Sequence, residues 1–164
     1  LPFQKLSVRY YMLENVKMPE GINKDVMEHL MYPRNYGKLD DPTCIGIATD
    51  DKTGEYVIFY TLLEDDTIKD VKFATNGCQD TVVVGSMYTD MIKGESVEFA
   101  NKALGLIAKK LGTNMTRKQE ICAEMVLNGF VASMMNYENL QNGKEEEAHI
   151  LKMAESCDVE EESE

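Results

Sequence analysis

The chain has 164 residues, 43% of them apolar, enough for one ordinary core and too few for a multidomain protein. Its 17 basic and 29 acidic residues give a formal charge of -12, which repels phosphate backbones and argues against nucleic acid as a partner. No apolar run approaches the roughly 20 residues needed to cross a bilayer, and the first residues lack a signal-like apolar block, so a cytoplasmic chain with no membrane contact is expected.

Leu6, Tyr10, Leu13 and Val16 fall at spacings of four and three, predicting a short amphipathic helix within an N-terminal extension over 1–22, broken at Pro19 and Gly21. The main domain is expected over 23–140. It opens with a helix near Asn23, a capping residue, that turns Val26, Leu30 and Met31 inward and stops before Pro33, Asn35 and Gly37. Extended structure follows in Ile45 to Ala48, in Glu55 to Leu63 and in Thr67 to Thr75. In the third strand Ile68, Val71 and Phe73 are the core positions, and the broken alternation between Ile68 and Val71 predicts an irregularity. Asp65-Asp66 turns the chain between the last two strands, and short connections imply an antiparallel meander.

Beyond Gly77-Cys78 the pattern becomes helical through Val83, Met87 and Met91 to a stop at Gly94. Ser96 can cap a second helix through Phe99, Ala103, Leu106, Ile107 and Leu111. Thr116 can open a long third one to about Asn139, with Ile121, Met125, Ala132 and Met135 on its apolar side. Over 141–164 we expect a helical piece, Glu145 to Ala154, and an acidic tail; from Lys144 onward eight Glu and one Asp stand against two Lys. The fold class is therefore α+β, a small three-stranded antiparallel sheet covered on one face by helices.

Cys44, Cys78, Cys122 and Cys157 contain no C-x-x-C pair, which excludes a local zinc knuckle, and in a cytosolic chain they are expected as free thiols. Cys78 lies at a sheet-to-helix junction, where helix-end N–H groups favour thiolate. Its plain alternative is a small buried hydrophobe.

Three motifs carry a resemblance. The run from Val26 through His29, Pro33-Arg34-Asn35 and Gly37 to Asp40, the strand Ile68 to Phe73 leading into Asn76-Gly77-Cys78, and Lys93-Gly94-Glu95-Ser96 resemble, in order, the IscU/NifU family of iron-sulfur cluster scaffolds. Ala123-Glu124 fits that family's last helix, and the likeness spans roughly residues 24 to 139. It implies a scaffold or carrier and not an enzyme. Its cargo is an iron-sulfur cluster or iron, and its partners are a cysteine desulfurase and apo iron-sulfur proteins. Soft thiolates suit that task, and incomplete thiolate ligation keeps a cluster labile.

The resemblance also exposes departures. The family's first C-G-D motif falls on Thr53-Gly54-Glu55, leaving a hydroxyl for a thiol and Glu55 for an aspartate. Its His-Cys pair falls on Lys118-Gln119. Retained Cys78 and the carboxylate of Glu55 are thus the candidate metal ligands. Cys122, close to one helical turn beyond Gln119, can approach the same pocket, although that register gives it an apolar core position. Cys44 could fold back toward the cluster end of the sheet or be a plain loop cysteine. Cys157, in the acidic tail, is not expected as a permanent ligand, and His29 is read as a packing or capping residue. A homo-oligomer could complete the ligand set through a second subunit. The competing reading is a ligand-depleted paralogue that binds and regulates the assembly machinery; a single activated Cys78 accepting persulfide sulfur is a further one. The family's L-P-P-V-K chaperone segment is replaced by Leu111 to Thr116.

Overall fold

The computed structural model describes residues 24–103, 106 and 116–157. The N-terminal helix expected in 1–22, the cap at Asn23 and most of the second helix's apolar positions beyond Ala103 lie outside the described residues. Helix α1 spans Lys24–Met31, and strands β1, β2 and β3 span Cys44–Thr49, Tyr56–Glu64 and Thr67–Thr75. Helices α2, Gln79–Ile92, α3, Val97–Lys102, and α4, Arg117–Gln141, follow, and β4, His149–Lys152, closes the order.

The meander forms as the pattern predicts. β1 pairs antiparallel with β2, and β2 with β3, and Asp65 and Asp66 make the connecting turn with φ of 50° and 61°, the left-handed pair that matches strand twist. The irregularity is present as a register shift at Leu62/Leu63, which lets Ile68 and Val71 both reach the core.

Two expectations fail at the C-terminal end. Among the described residues the sheet has four strands in the order β3-β2-β1-β4, because the segment expected as a helix over Glu145 to Ala154 contains β4, parallel to β1. Its helix formers are overruled by the open edge of β1, whose Gly46 to Thr49 pair with His149 to Lys152. Gly143, at φ 81°, has already turned the chain out of α4, and the Glu146 carboxylate accepts from Asn136 and Asn139 on that helix.

The core lies between one sheet face and α2 and α4. Phe59, Phe73, Tyr88 and Phe130 pack there with ring centroids 5.6 to 6.2 Å apart, and the Tyr88 hydroxyl donates to the Ala100 carbonyl. Met31 and Met135, expected inward, are 38% exposed. His29 is buried and bonded to the Ser86 hydroxyl at 2.7 Å, which also accepts from the Arg34 N–H, so the Pro33-Arg34-Asn35 turn is anchored on α2. The packing role expected of His29 is what the structure contains.

Helix α4 crosses β1 backbone against backbone. A Cβ on Gly46 would stand 2.0 Å from the Ser133 nitrogen and 2.5 Å from the Gly129 oxygen, and one on Gly129 would meet the Phe59 ring at 2.8 Å. Asn136 accepts the Ile45 N–H at 2.9 Å in the same crossing. Gly46→Ala should therefore cost about 3 kcal/mol in urea unfolding through overpacking. Gly54→Ala, into open space at φ 76°, should cost about 1 kcal/mol. Equal losses would contradict the close crossing.

Candidate functional site

The site forms where β3 runs into α2. Thr75 ends the strand with its hydroxyl donating to the Tyr56 carbonyl at 2.6 Å and accepting the Gly77 N–H at 2.9 Å. This tight turn sets Cys78 as the N-cap of α2 in extended conformation, its side chain half-buried over the first turn. The Cys78 sulfur lies 3.6 Å from the Thr81 hydroxyl and 3.6 Å from the Cys122 sulfur.

Cys122 reaches that position because α4 starts where its cap dictates. The Thr116 hydroxyl accepts the Gln119 N–H and the Gln119 side chain accepts the Thr116 N–H, a reciprocal capping box. Gln119 is thereby occupied as a helix cap, and Cys122, a turn further in, is buried and aimed at Cys78. The apolar core position expected for Cys122 and its approach to Cys78 hold together.

The two thiols differ electrically. A hydrogen bond from the Cys122 thiol, helped by the Thr81 and Asp80 N–H groups and the Thr81 hydroxyl against the opposing effect of burial, holds Cys78 well below the ordinary thiol range. Donating that bond, with burial, pushes Cys122 up. The opposite directions of the two shifts make Cys78 the more readily ionised sulfur of the pair.

Glu55 stands just before β2. Its Oε2 is buried without a hydrogen-bond partner, and burial followed by the charge of Cys78 raises its carboxyl above the usual range, while a hydrogen bond with the Cys157 thiol and then the Lys118 ammonium oppose the rise. Glu55 thus feels the charge of Cys78, which Cys122 touches in turn. Thr53 does not join it: its hydroxyl accepts the Glu55 N–H at 3.2 Å in an exposed turn. Cys44 is placed elsewhere. It starts β1 opposite Thr61, about 16 Å of strand away from the Thr49 end, and burial pushes its thiol up to about 12. The expectation that Cys44 folds back toward this pocket is overturned by the direction of β1.

Cys157 was missed. Far from trailing in a solvated tail, it is 4% exposed, with its sulfur 4.0 Å from that of Cys122. Asp50, Glu55 and Cys157 offer ligand atoms within 4.8 Å of one another. Burial pushes the Cys157 thiol up to about 11. The readable signal was a fourth cysteine just beyond His149-Ile150-Leu151-Lys152, a four-residue run with too little alternation to declare a strand.

Against known proteins, the family profile described as NifU-like N terminal domain matches residues 22–144. The chain is 32% identical over 144 residues to an iron-sulfur cluster assembly scaffold protein IscU of Aquifex aeolicus, covering 86% of this chain and 91% of that one. It is 30% identical over 120 residues to scaffold protein IscU 1 of Archaeoglobus fulgidus, covering 73% and 77%. The crystal structure of an N-terminal NifU-like protein from Brucella abortus shares the fold at a TM-score of 0.55 and 14% identity, covering 71% of this chain and 94% of that one.

Alkylation tests the ionisation of Cys78. The rate at Cys78 should stay flat from about pH 6 to about pH 8, and in Cys122→Ala it should climb roughly tenfold per pH unit below the restored thiol pKa. A steep climb in the unsubstituted protein would show that Cys78 is not held as thiolate.

Proposed function

This chain belongs to the NifU-like N-terminal domain family, and from that premise we propose that it is an iron-sulfur cluster scaffold that gathers iron and sulfur at Cys78, Cys122 and Glu55. The observation that carries this reading is the 3.6 Å pair of Cys78 and Cys122 sulfurs beside a buried carboxylate oxygen with no partner. Iron binds thiolate, and Cys78 is the sulfur of the pair that ionises more readily. The Cys122 proton leaves as the second thiolate engages the metal. Glu55 supplies a hard oxygen ligand, a weaker hold than a third thiolate and one that suits a cargo meant to leave.

Cys122 takes over the task of the cysteine that Gln119 replaces, from one turn deeper in the same helix. Lys118, close enough to Glu55 to pull its carboxyl toward ionisation, offsets part of the negative charge that thiolates and sulfide bring. The partners in this reading are a cysteine desulfurase as sulfur source and apo iron-sulfur proteins as recipients, in a reducing compartment such as the cytoplasm, where free thiols persist. The reading makes the chain a carrier and assigns it no turnover of its own.

Anaerobic reconstitution with ferrous iron and a sulfide source should give visible sulfur-to-iron absorption. Cys78→Ser and Cys122→Ser should each lower retained iron on the order of tenfold or more, and Cys44→Ser should leave it unchanged. A folded, colourless protein that binds neither element, yet still captures a desulfurase, would replace the scaffold by a regulatory binding module.

A further inference from the structure

The most unexpected group near the site is Cys157, which lies past the span matched by the family profile. It sits at the end of a segment fastened at several points. β4 runs parallel to β1 and the Met153 N–H continues that pairing to the Thr49 carbonyl at 2.8 Å. Glu155 pairs with Arg117 at the start of the helix that carries Cys122. Asp50 then receives the Ser156 hydroxyl and the Cys157 N–H on one oxygen, each at 2.8 Å, and the N–H groups of Lys52 and Thr53 on the other, at 3.0 and 3.4 Å.

Those four donors decide what Asp50 does. Burial alone would raise its carboxyl, but the Cys157 N–H and the other donors outweigh that and hold it ionised below the usual range. With both oxygens taken, Asp50 is a latch that fixes the Cys157 backbone. Beside it, the Cys157 thiol and the Glu55 carboxylate are hydrogen-bonded to each other, a contact that an incoming cation would replace. Cys157 also joins two clusters, being 4.0 Å from the Cys122 sulfur on one side and within 4.8 Å of the Glu55 carboxylate on the other.

From this placement we infer that Cys157 is the third thiolate ligand of the site, delivered by the C-terminal segment in place of the cysteine absent at Thr53, with Asp50 as its positioning residue. Metal–sulfur bonds of about 2.3 Å put ligand sulfurs about 3.8 Å apart, and Cys122 stands near that spacing from both neighbours, 3.6 Å from Cys78 and 4.0 Å from Cys157. The Cys78 and Cys157 sulfurs are farther apart than the ligand atoms of the Asp50, Glu55 and Cys157 group and must swing toward each other for one ion to take all three. The ligand is a thiophilic divalent cation, iron as cargo or zinc, completed by Glu55. On binding, the Cys122 and Cys157 thiol protons pass to solvent and no electron is transferred. The inference deepens the scaffold reading, since it assigns a further ligand to that same site.

Cobalt(II) alone, titrated anaerobically into the full apo chain, separates the two claims. The unsubstituted protein should give charge-transfer absorption of three thiolates. Cys157→Ser should give that of two, with affinity lower on the order of tenfold or more, and Asp50→Asn, which keeps every cysteine, should weaken binding several-fold with reduced intensity. Cobalt X-ray absorption on the unsubstituted protein counts sulfur neighbours without any variant: three support the inference and two overturn it. If Cys157→Ser equals the unsubstituted protein while Cys78→Ser loses the band, Cys157 is no ligand and the scaffold reading stands. If no thiolate band forms in any version, both fall.

Discussion

A side chain at position 46 would overlap the backbone of α4, and that single steric constraint organises the molecule. Because Gly46 and Gly129 let helix and strand touch, α4 lies against β1 at a fixed depth, with Asn136 tying the Ile45 N–H at the far end. The Thr116–Gln119 cap fixes where the helix begins. Between these two anchors the height of Cys122 is determined, and it comes to rest against Cys78 at the mouth of α2. A small displacement of α4 would separate the two sulfurs and leave two unrelated buried thiols.

From that contact follows the chemistry. Of two thiols facing each other at 3.6 Å, Cys78 ionises more readily, because it accepts from Cys122 and also has the Thr81 and Asp80 N–H groups of a helix start beside it. The Cys78 sulfur, the buried Glu55 oxygen and the Lys118 ammonium form a small polar cluster. Asp50 extends the arrangement by capturing the C-terminal segment, so that the strand added to the sheet edge also brings a sulfur. The segment that closes the edge of β1 is thus also the one that carries Cys157 to Cys122.

Most of the fold was legible in the sequence because it is written in local signals. The alternation of Tyr56 to Leu63, the Asp65-Asp66 turn, the Ser96 and Thr116 caps and the Gly94 stop each act within a few residues, and each is present. β4 was not legible, since Glu145-Glu146-Glu147-Ala148 favours helix and only the unpaired edge of a strand a hundred residues earlier reverses the choice. At the site, Cys78 and Glu55 could be found from motif and order. Cys122 stood in the right helix but its direction depended on packing, Cys44 was separated from the pocket by strand polarity, and Cys157 depended on β4 and on the Asp50 latch. Ligand sets assembled across elements are set by tertiary distances, which no spacing rule along the chain contains.

The claim on which this account rests is that iron held by the protein sits on sulfur from Cys78 and Cys122. Mössbauer spectra of the chain loaded anaerobically with iron and sulfide measure it directly, because tetrahedral sulfur-ligated iron and iron bound only by oxygen and nitrogen have different isomer shifts. The account predicts the sulfur-ligated signal, abolished when both cysteines are replaced by serine. An oxygen- and nitrogen-ligated signal that survives the double replacement would contradict it.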